Sequence, residues 1–465
     1  MTATALDGDM PLRSLRRRPL VALLIVLAVL LGLAAMAVPS GAAVAEGPPV
    51  PLAASAAPPL PAGTALLGAV SPGTTMAVTV TLALPDQAAL TTFLNGLTDP
   101  ASPYYQRFLV PGQFGPMFGP SLGQVAAVEN ALRAAGLSPG PVAPDRLSIP
   151  VTATASAIEH AFGVTLDRYR LAGGRLGFAD TTAPKIPAAV ASLVRGVLGL
   201  NDLDPAQPEG DSVPASSPAA TRPAVIRAAV IRAGAGPTAT TGAARPAVNP
   251  GPQPCGAISD GLSGLTADAI AAHYGLAQRY AEGDYGQGIR IGVAELEPNL
   301  TSDVTAYEQC YRISTKVNYI KVDGGAGSGA GSGEAALDIE TLAGLAPKAT
   351  IDVYQAPNTN GGFYGIFKKW VTADTDKVLS VSWGSCEADT SAATTKAQEA
   401  LFEQADAQDQ TVFAAAGDDG STGCSTNATA NARLSVVAPA SDPYVIGVGG
   451  TSFGFTSNND IVEIT

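Results

Sequence analysis

Residues 331–354 run Gly331-Ser-Gly-Glu-Ala-Ala-Leu-Asp-Ile-Glu340-Thr-Leu-Ala-Gly-Leu345-Ala-Pro-Lys-Ala-Thr350-Ile-Asp-Val-Tyr354. A glycine-rich loop opens a stretch of helical spacing, Glu334–Leu345, and a short apolar run, Thr350–Tyr354, follows it. Outward from this unit the alternation repeats. Ile289–Ala294, Val317–Val322, Val378–Trp383, Thr411–Ala416 and Tyr444–Val448 are further apolar runs, and Asp303–Tyr311, Tyr364–Val371 and Thr394–Ala407 have helical spacing. Near-continuous apolar strands alternating with helices predict α/β architecture, a doubly wound parallel sheet covered on both faces. Active residues in such sheets lie beyond the carboxyl ends of the strands. The loops Gly324–Gly333, Gly384–Glu387 and Gly417–Gly423 are therefore where chemistry is expected.

The chain of 465 residues is too long for one ordinary domain. At 46% hydrophobic and 14% charged residues it is not disordered throughout. Residues 1–254 hold 16 basic and 14 acidic groups, whereas 255–465 hold 11 and 26. A nucleic-acid partner would need a basic face, so none is expected. Only two histidines occur, His160 and His273, which leaves little room for imidazole catalysis or a His-rich metal site.

Arg13, Arg16, Arg17 and Arg18 precede the uninterrupted apolar run Leu20–Val38, and Ala43-Val-Ala45 follows. This is the layout of an export signal, with cleavage expected after Ala45. If retained, the same run is just long enough to anchor the chain in a membrane. Residues 1–45 are thus a signal peptide or membrane anchor, and a secreted or extracellular location is expected either way. Residues 46–63 are Pro/Ala-rich and expected to be unstructured. Residues 64–203 mix short strands (Met76–Leu84, Leu147–Thr152, Val164–Tyr169) with helices (Asp86–Leu97, Leu122–Ala135, Ala155–Phe162), the pattern of a small α+β domain. Residues 204–254 are a Pro/Ala-rich linker, and exposed linkers are where proteases cut. Residues 255–465 form the larger domain. A small exported domain, a cleavable linker and a large domain suggest a proprotein.

Cys255, Cys310, Cys386 and Cys424 are even in number and contain no C-x-x-C, so disulfides are expected rather than zinc. Three connectivities are open. Cys386–Cys424 with Cys255–Cys310 is the expected one, because Cys386 and Cys424 each follow a predicted strand end.

Glu334 and Asp338 stand four apart, on one helical face, with Cβ atoms roughly 5–6 Å apart. A proton shared between them removes their repulsion and raises one pKa, which makes a general acid/base from two acids. Acids favoured by the helix dipole are the plainer reading. Asp418, at the end of the run Thr411–Ala416, is placed to remain protonated in an apolar setting and donate to an oxyanion; a Gly-Asp-Asp-Gly turn is its plainer reading. Gly331-x-Gly333-x-x-Ala336 imitates a dinucleotide fingerprint, but Glu334 would repel the pyrophosphate. Gly450-Thr-Ser452-Phe-Gly454 imitates a nucleophile elbow without the helix or downstream histidine that an elbow needs.

Taken in order, these pieces resemble the sedolisins, the serine-carboxyl peptidases that include kumamolisin-like enzymes. Tyr104-Tyr-Gln-Arg-Phe-Leu with Pro111-Gly-Gln-Phe114, Ala161-Phe-Gly-Val164 with Tyr169-Arg170, and Ile186-Pro187 with Val197-Leu-Gly-Leu200 are similar to the activation-domain signature. Leu265-Thr-Ala with Tyr274-Gly275 resembles the start of the mature domain. Glu334-x-x-x-Asp338, Ser380-Val-Ser-Trp-Gly384, Ala416-Gly-Asp418-Asp-Gly420 and Pro439-Ala-Ser-Asp-Pro-Tyr-Val445 resemble its later landmarks. The resemblance implies a subtilisin-like fold, preceded by a small ferredoxin-like α+β prodomain that acts as intramolecular inhibitor. It implies Glu334 as general base toward a serine, Asp338 as its orienting partner, and Asp418 as oxyanion stabiliser. The implied activity is acid endopeptidase action on unfolded protein or peptide substrates. The family's nucleophile follows a segment matching Gly449-Gly-Thr451, and no such serine motif occurs before Thr465; Ser452 matches the wrong landmark. The expectation is therefore a domain incomplete at the C-terminus, truncated before the serine. Calcium is implied for the family, with its site absent from this chain. The competing expectations are an inactive secreted or cell-wall protein on a decayed peptidase scaffold, and a nucleotide-dependent enzyme.

Overall fold

The computed structural model describes residues 48–464 except 58, 62, 172–173, 204, 210–249, 256–265, 329–330, 332, 419, 425–433 and 456–460. The expected export segment lies outside the described residues. Among the described residues, no helix is long and apolar enough to cross a membrane.

The smaller domain comprises β1 (Ala65–Ala69), β2 (Thr75–Leu82), α1 (Gln87–Thr98), α2 (Leu122–Ala134), β3 (Ser148–Thr154), α3 (Ala155–Phe162), β4 (Leu166–Arg170), β5 (Leu176–Asp180) and β6 (Val194–Leu198). Strand β2 alternates strictly, with Met76, Val78, Val80 and Leu82 buried, and lies antiparallel between β3 and β6. A second antiparallel sheet has the order β1-β4-β5. Ser121 and Gln124 close a reciprocal capping box that starts α2. Thr154 caps α3, and Gly163 ends it in the left-handed region at φ 59°.

Within the 46–63 stretch expected to be unstructured, residues 50–55 are ordered against the small domain. Val50 pairs with Ile186, and the Ser55 hydroxyl accepts from Val197 N at 2.9 Å. The run is Pro/Ala-rich, but Leu52 and Ser55 are buried against the small domain, and that burial holds it.

After β7 (Gln207–Pro208) the larger domain contains α4 (Ala267–His273), β8 (Arg290–Glu295), α5 (Thr301–Tyr311), β9 (Lys316–Lys321), α6 (Glu334–Leu345), β10 (Thr350–Gln355), α7 (Asn360–Ala373), β11 (Val378–Val381), β12 (Trp383–Cys386), α8 (Ala392–Ala407), β13 (Thr411–Ala415), β14 (Val437–Ala438) and β15 (Ile446–Val448). Six strands form one parallel sheet in the order β9-β10-β8-β11-β13-β15. Both faces are apolar. Val293, Ile351 and Val353 pack with Val304 of α5 and Ile339 of α6, while Ala294, Tyr354 and Leu379 pack with Phe367 of α7 and Leu401 of α8. The expected parallel sheet with helical layers is thus the observed one.

Two boundaries shift for physical reasons. The run expected as one strand, Val378–Trp383, breaks after Val381, and β12 leaves the parallel sheet to pair antiparallel with β14 and β7. Helix α7 starts at Asn360 rather than Tyr364, because the Thr359 hydroxyl accepts from Gly362 N. A side chain at Gly362 would strike the Pro357 carbonyl, with a Cβ only 2.2 Å away.

The linker expectation for 204–254 also needs correction at its start. Residues 207–208 are a strand on β12, and Asn358 Nδ2 donates to Ala206 O at 2.8 Å. Main-chain pairing needs no apolar period, so composition did not reveal it. Elsewhere the small domain lies against α8: Leu109 N donates to Ala407 O at 2.8 Å, and Arg195 Nη1 donates to Lys396 O at 2.9 Å. A Cβ on Gly196 would fall 2.5 Å from that of Ala393, so only glycine permits this approach of β6 to α8. Both expected disulfides are present, Cys255–Cys310 and Cys386–Cys424.

Candidate active site

Helix α6 begins at Glu334 because Gly333 turns the chain with φ 102°, a conformation that side chains disfavour. Glu334 is 8% exposed, and Asp338 lies one turn further along the helix. Opposite them lie the carboxyl ends of three strands. Glu295 ends β8 and is fully buried. Ser382 follows β11, and Asp418 lies beyond β13. The site stands outside the carboxyl edge of the sheet, where the sequence pattern placed it.

The hydrogen bonds define a chain of groups. Ser382 Oγ donates to Asp338 Oδ1 at 2.9 Å. Trp383 Nε1, fully buried, donates to Glu295 Oε2 at 3.0 Å. The remaining oxygens, Asp338 Oδ2 and Glu295 Oε1, are sealed from solvent and lack an ordinary donor. The two carboxyls interact with each other, and one proton held between them satisfies both oxygens.

Proton affinities follow from this environment. Burial is the main force raising the Glu334 pKa to about 8, with the charges of Asp338, Asp418, Glu209 and Glu297 adding to it. Burial likewise raises Asp338 to about 6, against the Ser382 and Glu295 hydrogen bonds that favour its ionised form. Burial, then the Asp338 charge, drives Glu295 well above the carboxylate range despite the Trp383 bond. A cluster of acids that hold protons near neutrality can deliver one at mildly acidic pH, and a member accepts one only after losing its own.

The three residues chosen from sequence come together, with two differences. The expected proton sharing between Glu334 and Asp338 is a charge interaction, and the hydrogen-bonding carboxyl partner of Asp338 is Glu295. The reason is register: β8 pairs with β11 through Ala294 and Val381, which sets Glu295 beside Ser382 over the Asp338 face of α6. Asp418 is exposed, where an apolar setting was expected. It lies on the Gly417–Gly420 turn that rises from the sheet edge, with Gly417 at φ 100°. Sequence reasoning missed Glu295, although it shows the signal that found Asp418, a carboxylate directly after an apolar strand. Ser382 and Trp383 stood inside a quoted motif without a role.

A model of the Pro-kumamolisin activation domain matches residues 62–203, and a model of the Subtilase family matches residues 320–463. Xanthomonalisin of Xanthomonas sp. (strain T-22) is 31% identical over 412 residues, covering 81% of this chain and 45% of that protein. Over most of its length the chain is similar to the sedolisins. Sedolisin of Pseudomonas sp. (strain 101) is 29% identical, with 83% of this chain and 61% of that protein covered, and kumamolisin of Bacillus sp. (strain MN-32) is 29% identical, with 73% and 55% covered. The chain therefore spans about half the length of the relatives it matches. Its larger domain has a subtilisin-like fold, and residues 62–203 are similar to the activation domain.

Gly331 and His273 have structural explanations. A Cβ on Gly331 would come 2.2 Å from the Pro298 carbonyl, so this glycine serves a close backbone approach. His273 ends α4 with its ring edge-on to Tyr274. As for the expected calcium, among the described residues no group of three or more His, Cys, Asp or Glu is placed to hold a metal ion.

Proposed function

We propose that this chain belongs to the proenzyme of a secreted, acid-active serine-carboxyl endopeptidase. The observation that carries the reading is the convergence of Glu334, Asp338 and Asp418 at the carboxyl edge of one parallel sheet. In this reading Glu334, in its ionised form, takes the proton of a serine hydroxyl, the work imidazole does in a Ser-His-Asp triad. Asp338, fixed by Ser382, orients Glu334 and passes charge toward Glu295. Asp418 donates from its neutral form to the developing oxyanion, and a peptide laid along β12 covers it and removes it from water. Substrates are unfolded chains, because a main-chain ladder to β12 requires an extended peptide. The activation domain, packed on α8 and reaching β12 through β7, holds the zymogen closed.

The test expresses the coding region together with whatever sequence follows the codon for Thr465. The product is assayed on unfolded protein at about pH 3–5, the range in which carboxyl groups titrate. Cleavage that Glu334→Gln lowers by about a thousandfold supports the reading, a loss of the size general bases and oxyanion donors contribute. Absence of cleavage, or cleavage indifferent to Glu334→Gln, overturns it.

A further inference from the structure

The chain enters the larger domain across the end of α5. Cys255 is bridged to Cys310, in the last turn of that helix. Ala267, the first residue of α4, donates its N–H to Tyr311 Oη at 3.1 Å, and both residues are buried. Cys255 and Ala267 are therefore fixed on consecutive residues of one helix. The first is held by a covalent bond and the second by a hydrogen bond and packing.

The stretch just before the bridge reads Pro250-Gly-Pro-Gln-Pro254, and each proline ring locks one backbone torsion. It lies along a cleft of about 650 Å³ whose walls include Tyr285, Arg312, Pro347 and Lys348. Tyr285 Oη donates to Pro250 O at 3.5 Å, and Tyr280 stacks on the Tyr285 ring with centroids 5.2 Å apart. Lys348 Nζ lies 4.9 Å from the centre of the same ring. Both cysteines are half-buried and line this cleft, so a small thiol reagent can reach the bridge. A peptide bond broken ahead of Cys255 separates the two domains of the chain. One broken between Cys255 and Ala267 does not, because the small domain, the linker and Cys255 stay on α5 through the S–S bond.

We infer that the Cys255–Cys310 bridge is a covalent retainer for the small domain, so that a cut between Cys255 and Ala267 leaves the chain latent. This rests on the inhibitory role proposed above for that domain, and not on the catalytic roles of Glu334 and Asp338. The tether makes rebinding intramolecular, which strengthens retention by about 10²–10⁴ without any new contact. Release takes either a second cut ahead of Cys255 or a dithiol reductant. In the reductive route the dithiol passes two electrons and two protons to the bridge. The S–S bond breaks, Cys255 and Cys310 become thiols, and the reagent closes its own disulfide. In oxidising surroundings a chain cut only after Cys255 is a two-chain molecule with its small domain still in place.

The test uses two versions of the full chain, each with one recognition sequence for an added, sequence-specific protease. In the late-cut version it replaces residues 257–263, and in the early-cut version it lies within residues 222–232 of the linker. Each protein is cut, fixed to a support through a C-terminal tag and washed at constant pH while the retained small domain is measured. The early-cut protein is expected to lose it, and the late-cut protein to keep it about a hundredfold longer. Dithiothreitol should bring the late-cut protein to the early-cut rate, and so should Cys255→Ser with Cys310→Ser. Cys386 and Cys424 both lie beyond the two cuts, so their reduction cannot join or part the fragments. A non-reducing denaturing gel gives the same answer whether or not the double variant folds: one species for the late cut, two after reduction. Two fragments without reductant, equal retention after either cut, or retention indifferent to dithiothreitol overturns the inference. No step depends on catalysis by the chain itself. Failed proteolysis with this pattern strikes only the peptidase reading, and normal proteolysis without it strikes only the retainer.

Discussion

The Ser382 hydroxyl donates to Asp338 Oδ1 at 2.9 Å, tying the end of a central strand to the helix that carries Glu334. This bond favours the ionised Asp338 and opposes the burial that raises its pKa to about 6. Ser382→Ala removes that opposition, so Asp338 should titrate at higher pH. The limb of the pH–rate profile that Asp338 controls should move upward, with kcat lowered by about tenfold through lost positioning. A profile lowered in height but unmoved in pH would show that Ser382 only packs.

Trp383 Nε1 is the donor to Glu295 Oε2, and both residues are fully buried. Trp383→Phe preserves most of the ring but leaves a buried carboxyl oxygen without its donor. The expected loss is about 1–3 kcal/mol of unfolding free energy, read from urea titration. The doubly conservative Trp383→Phe, Glu295→Gln variant should recover part of it.

Glu340 projects from α6 into the packing between α5 and α6, 1% exposed, with neither carboxyl oxygen hydrogen-bonded. Burial first, then the Asp303 charge, raises its pKa from the ordinary 4.5 to about 8. The folded chain thus binds a proton that the unfolded chain has released between these values. Stability from this group is complete below the unfolded pKa and is lost as pH rises toward 8; Glu334 and Asp338 act with the same sign. The Tm should fall by about 3 °C or more between pH 5 and pH 8. Glu340→Gln should flatten that dependence, and a slope unchanged by the substitution would exclude Glu340 as its source.

The Cys386–Cys424 bridge closes a loop with a sequence separation of 38 residues between the end of β12 and the turn that carries Asp418. Replacing both cysteines by serine should cost about 3–4 kcal/mol through the entropy returned to the unfolded chain. Exchange at residues 415–418 should rise as well, because the bridge holds that turn against β12. Loss of stability with unchanged exchange there would confine the role of the bridge to the unfolded state.

The two carried acids on α6 were legible because a helix places i and i+4 on one face whatever else the chain does. Asp418 was legible because an apolar run ended at a glycine. Glu295 and Trp383 lie 88 residues apart in sequence, and no local pattern announces their bond. Residues 207–208 sit in a Pro/Ala-rich segment whose composition indicates a linker, and their pairing with β12 is a main-chain ladder that needs no particular side chain.

The amino-acid sequence by itself determined the alternation of strand and helix and the edge of the sheet where acids gather. These are consequences of local periodicity and of burying apolar runs on both faces. The tertiary structure alone decided which carboxyl hydrogen-bonds Asp338 and that residues 207–208 pair with β12. Both depend on the register of strands distant in the chain, and burial in that register, rather than residue type, sets the proton affinity of each acid.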